Sequence, residues 1–279
     1  MPATLQDERL AHVPAMDIPY DGDGRQGLGL DLPALVINLP HRSDRWEAIS
    51  SRLGAVGLTR LCKAPAVLGA ALSDDTLKGL LGPDGPRIRE TPRDHLALTP
   101  PAVGCFLSHL AIWRWIAAGD LPRVLVLEDD AHPGPHFDGA RFARLAEALS
   151  LEMGLVFPGC LIMGGLADAP APGAELARLY YFNGTFAYLV TPAACRFLLS
   201  RIMPPDRHID HQISRVLMQE RDAFPAYYAA PPLLEPDWSL RSDCYVPLSH
   251  ETEADRELGA LIETSRAALL AEGRPLLPA

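Results

Sequence analysis

Three consecutive carboxylates, Glu128-Asp129-Asp130, stand directly after four apolar, mostly β-prone residues, Val124-Leu125-Val126-Leu127. Carboxylates this close repel one another, and burial adds the cost of desolvation, so a cation belongs among them. Oxygen ligands on a short acidic turn suit a hard divalent ion, Mg²⁺ or Mn²⁺. A solvated acidic turn is the plain alternative. The apolar run before the acids weighs against it, because ligands of open α/β sheets bind beyond the carboxyl ends of the strands. Two other chemistries place acids after such a strand. A two-component receiver domain needs a lysine further along to sense its phosphoryl group, and the only lysines, Lys63 and Lys78, lie upstream. A P-loop NTPase needs G-x-x-x-x-G-K-[ST], which this sequence lacks. A metal-dependent nucleotide-sugar enzyme and a metal-dependent hydrolase remain.

Other polar residues stand where elements begin or end. Asn38 lies near the end of the run 35–39, and Arg42 and Arg45 lead into a helix reaching about residue 53, with Ser43 or Asp44 as its cap. A strand end next to a helix start can hold a base edge and an anion, although Arg42 could equally be a surface residue. Ser108 and His109 sit beside the apolar stripe of Val103, Phe106, Leu107, Leu110, Trp113 and Ala117, and a histidine there is more often a satisfied core residue than a ligand. His132 and His136 are four apart, but Pro133 and Pro135 forbid a helix between them, so a rigid loop is expected. Asp210 falls early in a helix reaching about residue 220, a place the helix dipole favours for an acid in any case.

The elements that must position these groups follow from periodicity and caps. Residues 1–31 read as a flexible, Gly- and Asp-rich lead-in. Gly22–Gly27 within it matches G-x-G-x-x-G, but no strand precedes it and no helix follows, so it is not a dinucleotide site. Strands are expected at 35–39, 62–67, 124–127, 160–165 and 227–234, and helices at 74–81, 137–151, 192–201 and 251–272. Thr99 caps the best helix, Pro100 suits its first turn, and Gly119 ends it. Residues 82–101 form a Pro- and Arg-rich excursion over the surface, and 167–174 a loop mobile enough to act as a lid. Asn183-Gly184 between two β-prone runs signals a hairpin. The last helix turns Leu258, Leu261, Ile262 and Leu269 inward and packs on the domain or on a second subunit. Helix, short loop and strand in succession are the grammar of an α/β fold.

The 279 residues allow one large domain or two small ones. A hydrophobic share of 48% and a charged share of 22% can build a real core. The net charge of −10 argues against nucleic acid and against docking on anionic lipid, both of which need clustered Lys and Arg. Cys62, Cys105, Cys160, Cys195 and Cys244 are odd in number with no C-x-x-C pair, which fits reduced thiols in a cytosolic protein. No signal peptide and no apolar run near the ~18 residues of a membrane span is visible. A cytoplasmic location is expected, at most peripheral to the inner membrane face.

Taken in order, several of these pieces resemble glycosyltransferase family 25, which includes bacterial lipopolysaccharide sugar transferases and collagen galactosyltransferases. They are Val36-Ile37-Asn38-Leu39 with Arg42 and Arg45, Gly104 to Trp113, Val126 to Asp130, Gly184 to Val190, Ile209-Asp210 and Ser242-Asp243. The resemblance implies an α/β fold: a GT-A-like, Rossmann-type sandwich with a central mostly parallel sheet. The catalytic domain would span 32–250, with a C-terminal helix and tail at 251–279. It further implies Mn²⁺ or Mg²⁺ on a D-x-D-like motif, a UDP-sugar donor, and inverting transfer to a glycan, lipid-linked or protein hydroxyl. Galactose is the sugar that the family's members favour. The roles that follow are Asp130 on the metal with Glu128, Asp129 or Glu128 on the ribose or a metal-bound water, and Asn38, Arg42 and Arg45 on the nucleotide. Ser108 and His109 would line the donor pocket, Asp210 or Asp243 would act as base, and His250 is a late candidate ligand. A hydrolase using the same acids, and a binding protein of this fold without catalysis, are the rival readings.

Overall fold

A computed structural model describes residues 7–82, 85–86, 88, 96–149, 154–240, 244 and 252–279. Asp243 and His250, and half of the expected 82–101 excursion, lie outside the described residues. The strands are Ala34–Asn38 (β1), Leu61–Pro65 (β2), Val124–Glu128 (β3), Ala131–Pro133 (β4), Leu155–Phe157 (β5), Leu161–Ile162 (β6), Leu176–Leu179 (β7), Phe182–Asn183 (β8), Ala187–Val190 (β9), Ala226–Ala229 (β10) and Leu234–Pro236 (β11). The helices are Ser43–Ala55 (α1), Asp74–Leu81 (α2), Pro100–Ala118 (α3), Gly139–Ala148 (α4), Pro192–Leu199 (α5), Ile209–Gln219 (α6) and Glu253–Ala271 (α7).

Seven strands form one sheet in the order β2-β1-β3-β9-β5-β10-β7. From the pairings, β2, β1, β3, β5 and β10 run one way, and β9 and β7 run against them. The sheet is therefore mostly parallel in a mixed α/β fold. Alternate side chains go to opposite faces, as the period of two requires. Leu35, Ile37, Val124 and Val126 join α3, α5 and α6 on one side, while Val36, Leu125 and Leu127 join α1 and α4 on the other. Both faces are covered, which is why β1 and β3 are apolar without interruption.

Local signals set most helix ends. Thr99 caps α3 through the Ala102 N–H, with Pro100 in its first turn. Thr252 and Asp255 form a reciprocal capping box at the start of α7. At α1 the expectation fails. Arg42 is the cap residue and its side chain makes no capping bond, and Ser43 and Asp44 are already helical.

Other expectations are also corrected. The lead-in packs instead of hanging free: Leu10, Val13, Ile18 and Leu30 are buried, and Arg114 of α3 donates to the Leu10 and Val13 carbonyls at 2.9 Å. The reason lies in α3, which carries no polar face. Residues 102–104 and 106–113 are all buried, so a helix expected to show one stripe needs cover on every side. The Asn183-Gly184 turn closes no hairpin between its flanking runs, because β7 and β9 are separated in the sheet by β5 and β10. The turn signal marks a reversal and leaves the partner open. The expected 160–165 strand shrinks to β6 with Leu161 exposed, and the buried strand is β5. On α7, Ile262 and Leu269 are buried against Tyr180 and Tyr181, but Leu261 is exposed. The 167–174 loop is tied down at Asp168, which pairs with Arg274 of the tail, and does not line the cleft described next.

Candidate functional site

A cleft of about 740 Å³ opens beyond the carboxyl ends of β1 and β3, the size range of a small-molecule site. The acidic turn forms part of its wall, and Arg42, Arg45, Ser108 and Asp210 line it as well. The close seat of α3 beside it depends on glycine. A Cβ on Gly104 would lie 2.4 Å from the Val67 carbonyl oxygen, and one on Gly69 1.7 Å from that of Pro100.

The three acids have three different environments. Asp129 is saturated. Asn38 Nδ2 donates to its Oδ2 at 2.7 Å, and Arg45 Nη1 to its Oδ1 at 2.9 Å. Asn38 therefore acts through Asp129 and does not itself line the cleft. Arg42 forks onto Asp44 at 2.9–3.3 Å, an exposed pair within one turn.

Glu128 Oε1 accepts from Thr185 Oγ1 and from His109 Nε2, the latter at 3.2 Å. Behind it runs a buried chain. Trp113 Nε1 donates to Tyr188 Oη at 2.9 Å, and Tyr188 Oη lies 2.8 Å from His109 Nδ1. Indole can only donate, so the tyrosine proton goes to Nδ1 and Nε2–H points at Glu128. His109 is fully buried and does not line the cleft. It too reaches the site through an acid.

Asp130 is the exception. Its Oδ1 is buried with no hydrogen-bond partner among the described residues. Burial, then the charges of Glu128 and Asp129, push its carboxyl up to about 7. An orphaned carboxylate oxygen beside two further acids is the donor set a hard cation takes, so the residues fit the divalent ion that the resemblance implies. A softer alternative fits less well. One atom each of Cys105, His109 and Glu128 lie within 4.8 Å of one another. Yet His109 Nε2 is spent as a donor, and the Cys105 thiol is pushed well above its usual range by a hydrogen bond with the Cys244 thiol and by burial.

On the opposite wall, Asp210 opens α6. Its carboxylate accepts the Gly184 N–H at 2.9 Å and the His211 N–H of its own helix at 2.8 Å. Ser108 spends its hydroxyl on the scaffold, donating to the Gly104 carbonyl at 2.7 Å and accepting from Val67 N at 2.8 Å. Sequence reading missed Tyr188, Trp113, Thr185 and Arg52. Arg52 ion-pairs with Asp237. Tyr188, Trp113 and Thr185 lie inside quoted motifs, which was their only signal; Arg52 carried none and touches the site across the fold.

The sequence model of glycosyltransferase family 25 (LPS biosynthesis protein) matches residues 31–147. That stretch contributes Asn38, Arg45, His109 and all three acids. The chain is 32% identical over 193 residues to the inactive glycosyltransferase 25 family member 3 of Homo sapiens, covering 65% of this chain and 31% of that protein. It is 28% identical over 246 residues to a glycosyltransferase 25 family member of Drosophila melanogaster, covering 82% and 39%. Similarity to the probable inactive glycosyltransferase 25 family member 3 of Bos taurus is 30% over 191 residues, covering 65% and 31%. The chain spans about a third of the length of these curated relatives. The chain belongs to glycosyltransferase family 25, with the family match running through residues 31–147 and the relatives' similarity extending beyond them.

Proposed function

We propose that this chain is a GT-A-like glycosyltransferase that moves a hexose, galactose first among them, from a UDP-sugar to a hydroxyl acceptor with inversion, in the cytoplasm. The observation that carries this reading is Asp130: a carboxylate with a buried, unpartnered oxygen beside one acid that is neutralised and one that is held by donors. Mn²⁺ or Mg²⁺ bound by Asp130 and Glu128 would neutralise charge on a leaving diphosphate. Arg45 and Asn38 hold Asp129 fixed beside them. Asp210 takes the acceptor's proton as the hydroxyl oxygen bonds to the anomeric carbon and the bond to the diphosphate oxygen breaks. Its carboxylate is already oriented by two backbone N–H groups.

Titration calorimetry of UDP with Mn²⁺ tests this directly. Asp130→Ala should weaken binding tenfold or more, and Asp210→Asn should abolish transfer while keeping UDP affinity. Absence of UDP affinity in the wild type would sink the proposal. The names of the human and bovine relatives favour one second reading, a UDP-sugar-binding protein without turnover. UDP binding with no transfer across an acceptor panel would select it.

A further inference from the structure

Trp238 is 70% exposed, the most exposed large apolar side chain among the described residues. It lines the cleft together with Leu68 and Leu161, which are 46% and 38% exposed. Single exposed apolar residues are ordinary, but three at the mouth of one cleft form a collar, and such patches mark binding sites. The turn that carries Trp238 is also held in place. Asp237 N donates to the Asp130 carbonyl at 2.7 Å, and the Asp237 carboxylate is clamped by Arg52 and by Ser239 N and Oγ at 3.0 and 2.6 Å. A costly exposed ring thus stands on a turn anchored to the acidic tip.

We propose that Trp238 is a stacking platform for a pyranose ring of the acceptor, with Leu68 and Leu161 as its apolar flanks, so that the acceptor is a glycan terminus. This rests on the transferase reading above. One face of a pyranose is a set of C–H groups carrying slight positive charge, which complements the negative face of an indole. The acids occupy the buried end of the cleft, where a donor's diphosphate would bind, and the exposed rim is left to the molecule that enters last. Lipid is the weaker occupant, because a chain of net charge −10 is repelled by anionic headgroups.

The test is saturation-transfer NMR on the full chain with millimolar methyl β-D-galactopyranoside and methyl β-D-glucopyranoside, with and without UDP and Mn²⁺. At least one glycoside should receive saturation on the C–H protons of one ring face. Trp238→Ala should reduce that signal tenfold or more, and Trp238→Phe should restore most of it. Unchanged signals in Trp238→Ala, or none in the wild type, overturn the proposal. So does a tenfold loss of UDP affinity in Trp238→Ala, which assigns the ring to the donor. Trp238-dependent binding to phosphatidylcholine vesicles without any glycoside contact overturns it in favour of a membrane. UDP titration of the same samples reads the transferase proposal separately, since the glycoside signal is recorded without nucleotide too.

Discussion

The floor and the rim of the cleft are built on opposite principles. At the floor, Asn38, Arg45 and Asp129 bind one another, and Trp113, Tyr188, His109 and Glu128 form a second closed chain. At the rim, Leu68, Leu161 and Trp238 are left to solvent. The floor spends its polar groups on rigidity, so that one acid, Asp130, can be held in an unfavourable environment. The rim contributes little to folding and keeps its surface for a ligand. Stability should therefore respond strongly to floor substitutions and barely to rim ones.

The largest effect is expected for Arg45→Ala, which leaves Asp129 buried and uncompensated beside two further acids. Denaturant unfolding should show a loss of about 3–5 kcal/mol, the usual penalty for breaking a buried pair from one side. A loss below that of a rim variant would break the contrast. Tyr188→Phe comes next. It orphans the Trp113 N–H and a His109 ring nitrogen, and a cost of about 1–3 kcal/mol is expected from the same measurement. Wild-type stability in the Tyr188→Phe variant would show that the buried chain is slack.

Asp130→Asn is smaller and opposite in sign. The folded protein holds the Asp130 proton up to about pH 7, whereas an unfolded chain releases it near 3.8. The folded state therefore binds more protons in that window, and wild-type stability falls as pH rises through it. In EDTA, the variant should nearly match wild type near pH 4, at the foot of that window, and exceed it clearly near pH 8. Equal stability at both values would remove the strain assigned to this carboxylate. Trp238→Ala is the smallest, within about 0.5 kcal/mol of wild type; a larger loss would mean that the rim supports the fold after all.

Much of this was readable locally. The runs in β1 and β3 announce strands covered on both sides, Thr99 announces a helix start, and three acids after β3 announce the tip. One warning was available and points at the lead-in. An α3 apolar on every side demands cover, and residues 7–20 supply part of it. Strand β5 was harder, being three residues long. Its place between β9 and β10 comes from pairing that no local pattern encodes. The hairpin expected at Asn183-Gly184 fails for the same reason.

What the chain's own order of residues determined is chemistry in short range: which segments are apolar, where helices start, and that carboxylates crowd one strand end. These depend on neighbours within a turn or a strand. Tertiary structure alone decided which acid is neutralised and which is left strained, because Arg45 lies 84 residues from Asp129 and Tyr188 79 from His109. Charge interactions act through space, so the difference between Asp129 and Asp130, adjacent in sequence, exists only once the sheet has brought distant donors to one of them.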